Sequence, residues 1–191
     1  AIGAGVIESS LVFLPLLAVV ALGTKESAAS FMLMPLVIAM SIGSPLTGRF
    51  LDRFGSKVIL TAGTIISAAG IILISFFSTF LIMYIISTVL IGFGLSALLG
   101  APLRYIMLSE ASSSERSIAQ GITNVFISIG QLIGSALVGA LAASASTQLI
   151  GYSNGYRFIG ISGIILVLLT FFLKNRSAEQ ETIKKNQVPN L

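Results

Sequence analysis

The chain has no cysteine, histidine or tryptophan, and charged residues fill only 9% of its 191 positions. The missing cysteines exclude disulfides and thiol nucleophiles and leave the redox compartment unreadable; the missing histidines exclude imidazole metal sites and His-based catalytic triads. The serines therefore have no histidine base. Every lysine sits at a span boundary, in a connection or in the tail, so a buried Ser-Lys pair is excluded as well. The seven acidic residues include no closely spaced pair within a span, and no ring of charges suggests an ion filter. The sequence thus predicts neither an enzyme nor a channel, and no cofactor or metal. A soluble domain carries about 25% charged residues, so the scarcity of charge also excludes an ordinary water-facing surface.

What the chain has in abundance is apolar side chain, 55% of the total. A bilayer core of ~30 Å needs about 20 apolar residues per helix, and six such segments follow one another at 2–22, 28–49, 57–78, 81–101, 117–143 and 156–173. The expected fold is an all-α membrane protein with six transmembrane helices in one domain over 1–174, followed by a polar cytoplasmic tail over 175–191. Residues 144–155, rich in Ser, Gly and Asn, are expected to form an outer loop. Three spans followed by three of opposite direction are compatible with a 3+3 inverted repeat, although no residue-level repeat shows in the sequence. Arg49, Arg53, Lys57, Arg104, Arg116, Lys174, Arg176, Lys184 and Lys185 fall on one side, and Lys25 and Arg157 on the other. The positive-inside bias puts the first set, and both chain ends, in the cytoplasm of a multi-pass cell-membrane protein. It also accounts for the net charge of +4 without invoking nucleic acid. The chain opens on Ala1 with no basic n-region or cleavage site, so an internal cut in a longer protein is expected.

The spans differ in ways that sort them. The fifth places Asn124, Ser128, Gln131 and Ser135 on one helical face and Gly130 and Gly134, with Gly121 nearby, on the next. Small residues four apart permit close helix packing, while the polar stripe needs a cavity or another protein surface. The first span holds Glu8, the only carboxylate set well inside a span, which makes it the candidate for proton handling; a hydrated helix end is the simpler alternative. Pro15 loosens the same helix. Met32, Met34 and Met40 in the second span suit either a pliable ligand-facing wall or ordinary apolar filling. Tyr84 and Thr88 in the fourth span form an i, i+4 polar pair that faces either a cavity or the outer interface. The sixth, polar only at Ser162 and Thr170 beyond its start, is expected to face lipid.

The most distinctive run is Gly48-Arg49-Phe50-Leu51-Asp52-Arg53-Phe54-Gly55-Ser56-Lys57, a charged turn between the second and third spans. Gly48 suits a close helix crossing and Gly55 a turn. Asp52 suits a helix N-terminus, and Arg53 and Lys57 suit carboxylates or headgroups. This run resembles the loop signature of the major facilitator superfamily, roughly G-x-L-x-D-R-x-G-R-[RK], with Phe50 in place of Leu and Ser56 in place of Arg. It follows the second helix of six, as in a half of such a transporter. Phe13-Leu14-Pro15-Leu16, Met34-Pro35, Gly92-Phe93-Gly94, Gly100-Ala101-Pro102 and Glu115-Arg116 are similar to the carboxy-terminal half of drug:proton antiporter members. The Gly121, Gly130, Gly134 spacing echoes an antiporter glycine pattern, but Ser135 stands where that pattern has Pro.

The resemblance implies an alternating-access transporter of two six-helix halves. The first and fourth helices would line the cavity, the second and fifth would slide against the other half, and the third and sixth would face lipid. The implied partners are the bilayer, a small, largely apolar substrate, and the missing amino-terminal half or a second copy of the chain. The implied function is proton-coupled efflux, with Gly48, Asp52, Arg53, Gly55 and Lys57 in a gating loop. The other classes to weigh are a non-transporting membrane interaction fragment and a homodimeric half-transporter.

Overall fold

The structure, a computed structural model, describes residues 1–111, 115–173 and 176, with Glu26 and 108–110 described by backbone alone. Its elements are all helical: α1 Ile2–Glu8, α2 Ser10–Leu22, α3 Glu26–Ala29, a 3-10 turn Ser30–Leu33, α4 Met34–Phe54, α5 Ser56–Phe77, α6 Leu81–Leu99, α7 Ala101–Glu110, α8 Arg116–Ser144 and α9 Gln148–Thr170. Among the described residues they make six helices long and apolar enough to cross a membrane: Ile2–Leu22, Ser27–Phe54, Ser56–Phe77, Leu81–Met107, Arg116–Ser144 and Gln148–Thr170.

Breaks within spans have local causes. The Ser9 hydroxyl donates to the Val6 carbonyl at 2.6 Å, an acceptor the next turn would otherwise use, and α1 gives way to α2 there. Six residues on, Pro15 withholds the N–H that Leu11 would receive. Gly23, at φ 65°, ends α2 in the left-handed conformation, its N–H returning to Val19. Pro35 and Pro102 sit in first turns, where no N–H is required.

Three boundaries differ from the sequence expectation, one of them the end of the fourth span, which runs on into α7 to Met107 rather than stopping at 101. The charged run is not a loop: α4 stays helical through Phe54 and α5 begins at Ser56, leaving Gly55 alone between them at φ 82°, ψ 167°. Helix propensity in 50–54 is adequate, and the turn is confined to the one residue that tolerates that backbone. The expected outer loop 144–155 is mostly helix, because α9 starts at Gln148, capped by the Thr147 hydroxyl accepting from the Ile150 N–H at 3.4 Å. Gly151 and Gly155, which suggest a loop in the sequence, are packing residues. A methyl at the first would run into Ala142, and one at the second into Val138.

The bundle is two interlocked crossings around a shared pair. α5 lies between α6 and α9, α4 packs on α6, and α1 packs on α8. The α1–α8 and α6–α4 crossings repeat one another residue by residue. Gly5 lies under the Ile127 carbonyl of α8, as Gly92 lies under the Leu36 carbonyl of α4. Gly134 faces Ser9 and Val6, as Gly43 faces Ser96 and Phe93. A shift of 87 carries Gly5, Val6 and Ser9 onto Gly92, Phe93 and Ser96, and a shift of 91 carries Leu36 and Gly43 onto Ile127 and Gly134. The first span thus corresponds to the fourth and the second to the fifth, which is the inverted repeat that composition alone does not reveal. Small residues at both crossings let backbones approach where the bilayer offers no hydrophobic drive for helix association.

The core is pinned by two fully buried tyrosines. Tyr84 of α6 donates to the Leu14 carbonyl at 2.9 Å and Tyr156 of α9 to the Ser10 carbonyl at 2.7 Å. Both hold the first span near its proline. The second and fifth spans bury the smallest part of their surface, leaving side chains such as Ile42, Val125 and Leu132 exposed.

Candidate functional site

At the charged end, Lys57 Nζ donates to the Phe171 carbonyl at 2.7 Å, closing the end of α9 against the start of α5. The Thr61 and Thr170 hydroxyls meet beside it at 2.9 Å. Arg53 lies over the Phe54 ring, 5.4 Å from its centroid. The Arg176 guanidinium donates to the main-chain carbonyls of Asp52 and Arg53, capping the last turn of α4. Asp52 is exposed on that last turn and does not cap α5, which has no side-chain N-cap bond. Gly48 faces open space, with nothing near the position of a β-carbon. The close crossing expected there is not made within this bundle. Lys174 and the remainder of the expected tail, with Lys184 and Lys185, lie outside the described residues.

Midway along the first crossing, the half-buried Glu8 carboxyl group lies beside the Gln131 side chain of α8, within reach of a hydrogen bond. Gly5 and Gly130, by their missing side chains, draw α1 and α8 close enough for that contact. Two residues singled out on separate grounds, one for its charge and one for its place in a polar stripe, therefore meet. A carboxyl group beside a carboxamide can exchange its proton while keeping a hydrogen bond, since the amide donates to one form and accepts from the other.

The repeat gives this pair an apolar counterpart. The shifts that superpose the crossings carry Glu8 onto Leu95 and Gln131 onto Met40, and these two line a cleft of about 630 Å³ between α4, α6 and α7 that Arg104 and Tyr105 also line. A second cleft of about 210 Å³ separates α7 from α8 and is bordered by Arg104, Arg116, Gln120, Thr123 and Asn124.

The rest of the polar stripe is divided. Asn124 borders the smaller cleft, Ser128 is exposed, and Ser135 is half-buried. Gly130 and Gly134 pack on α1, whereas Gly121 faces open space. Tyr84 and Thr88 face neither a cavity nor the outer interface, because both are fully buried, Thr88 donating to the Ile85 carbonyl at 2.8 Å. The sixth span buries one face on α5 through Gly160 and Gly163 and leaves Ile161, Ile165 and Leu168 exposed. Met34 is exposed, Met32 half-buried, and Met40 alone of the three borders the larger cleft. Sequence reasoning missed Gly5, Ser9, Gly43 and Ser96 at the crossings. The matched Gly-x-x-x-Ser spacing at 5–9 and 92–96 is the signal that would have found them.

Six apolar spans, two related crossings and a partly polar face left open on the second and fifth helices define a multi-span membrane helix bundle. The chain belongs to the Major Facilitator Superfamily, whose family model matches residues 2–190. It is 30% identical over 146 residues to the MFS-type transporter YfiU of Bacillus subtilis, covering 76% of this chain and 28% of that protein. It is likewise 30% identical over 131 residues to a triacylglyceride transporter of Mycolicibacterium smegmatis, covering 62% and 23%. The multidrug resistance protein Stp of Mycobacterium tuberculosis is 28% identical over 126 residues, covering 64% and 23%. In fold the chain is similar to the proton:xylose symporter XylE, with a TM-score of 0.77 at 16% identity over 97% of this chain and 46% of that one. The chain therefore spans about a quarter of these curated relatives and about half of that solved structure.

Proposed function

We propose that this chain is the carboxy-terminal half of an alternating-access secondary transporter that exports small, largely apolar compounds in exchange for protons. The observation that carries the reading is the Glu8–Gln131 contact. The one acidic side chain deep in a span meets the polar stripe of the fifth helix, and an intramembrane carboxylate is costly unless its charge is used or shared. Met40, Leu51, Leu95 and Leu99 along the larger cleft support a largely apolar cargo, beside the polar Ser44, Ser96 and Arg104. Similarity to proteins named for triacylglyceride transport and multidrug resistance supports the same class. The open faces of α4 and α8, with unpacked Gly48 and Gly121, suit a second half that slides against them. Asp52, exposed beside them, is the gating contact to that half, and the charged end lies in the cytoplasm.

The decisive experiment reconstitutes the full-length protein in proteoliposomes and measures substrate efflux with and without an imposed proton gradient. Glu8→Gln is expected to abolish the response to the gradient while leaving facilitated exchange. Gradient-driven efflux equal to wild type in that variant would remove Glu8 from coupling.

A further inference from the structure

Arg157 is an exposed cation of α9 lying against Phe76 of α5, and the exposed Ile161 and Ile164 follow it at i+4 and i+7 on the same face of α9. Its guanidinium carbon lies 4.5 Å from the centroid of the Phe76 ring, and its Nη1–H donates to Asn154 Oδ1 at 3.3 Å. Phe76 is itself 60% exposed and is the penultimate residue of α5. The cation therefore stands near the end of the bundle away from the charged run, at the level where α5 leaves the hydrocarbon. Neither α5 nor α9 contains a carboxylate, so these helices supply no counter-charge.

A guanidinium with one face stacked on a ring keeps its in-plane N–H groups free, and their fork matches the oxygens of a phosphate. The bilayer presents phosphodiesters at this level and acyl chains directly below. We infer that Arg157, seated on Phe76 and oriented by Asn154, binds the phosphodiester of a phospholipid in the leaflet opposite the charged run, with an acyl chain lying along Ile161 and Ile164. The apolar face supplies contact area and the cation selects an anionic lipid. This site depends on membrane embedding alone and not on what the protein carries.

The test is native mass spectrometry of the purified, delipidated protein titrated with phosphatidylglycerol or phosphatidylcholine, alongside thermal unfolding with each lipid. Wild type is expected to retain phosphatidylglycerol preferentially. Arg157→Gln should weaken its retention by at least about tenfold, from loss of charged hydrogen bonds. Phe76→Leu should weaken it by about threefold, from loss of the ring beneath the cation. Arg157→Lys, which keeps the charge and loses the fork, should fall between wild type and Arg157→Gln, and with Phe76→Leu it serves as the probe if Arg157→Gln does not fold. Equal phosphatidylglycerol retention in wild type and the variants would overturn the site. Stabilisation by inorganic phosphate alone, lost in Arg157→Gln, would overturn the lipid assignment in favour of a free anion.

Discussion

At the scale of single residues, polar groups in this bundle act through neighbours that only the fold supplies. Glu8 and Gln131 are 123 positions apart and touch because glycines remove the side chains between their helices. Gln131→Leu should therefore disturb coupling along with Glu8→Gln, and comparing efflux at several external pH values would reveal a flattened profile in both. The buried tyrosines make a different prediction. Tyr84→Phe and Tyr156→Phe each leave a carbonyl of the first span with one donor fewer, which in a membrane protein costs about 1 kcal/mol. Chemical denaturation in detergent micelles should register that loss for each. Glu8 was legible in the sequence as a carboxylate set inside the first span, but its contact with Gln131 on the fifth was not. Tyr84 was misread because its neighbour Thr88 suggested a polar face, whereas both side chains are satisfied by main-chain carbonyls inside the core.

Among elements, the two glycine-lined crossings hold the repeat together, and glycine alone does not say which crossing a helix makes. Gly130 and Gly121 look alike in the fifth span, but a methyl at Gly130 would strike the Ile2 carbonyl while one at Gly121 would meet nothing. Gly130→Ala and Gly5→Ala should thus each destabilise the protein by about 1–3 kcal/mol through overpacking. Gly121→Ala should stabilise the isolated bundle by up to about 1 kcal/mol through helix propensity. Thermal unfolding of the three variants separates the classes. The six spans and their order were legible because twenty-residue apolar runs have few other uses. The start of α9 was not, since Gly151, Asn154 and Gly155 have the composition of a loop and only the facing Ala142 and Val138 reveal them as a tight helix contact. The inverted repeat was hidden for the same reason: it is written in six small residues, Gly5, Ser9, Gly43, Gly92, Ser96 and Gly134, whose spacing has meaning only once the helices are paired.

For the whole molecule, the open surfaces of α4 and α8 are where this bundle is unfinished as a transporter under the proposed reading. Asp52→Ala and Gly48→Leu should leave unfolding of the bundle near wild type, because the Asp52 side chain is exposed and Gly48 faces open space. Efflux by the full-length protein should fall sharply in both, and transport equal to wild type would make the charged run a topological turn. Measuring the mass of the detergent-solubilised chain together with ligand binding addresses the other arrangements. A ligand-binding dimer would favour two copies acting as halves, and a monomer that binds nothing would favour a half awaiting its mate. The charged end also bears on how any such motion travels. With Gly55 as the single residue between two long helices, there is almost no slack at that joint. A tilt of α4 must be absorbed in two dihedral angles or handed directly to α5, whose Lys57 is fastened to the end of α9. Gly55→Ala, which would force a side chain into a backbone region costing about 1–3 kcal/mol, would therefore act as a change in stiffness, altering how far a push on the second helix is felt by the sixth.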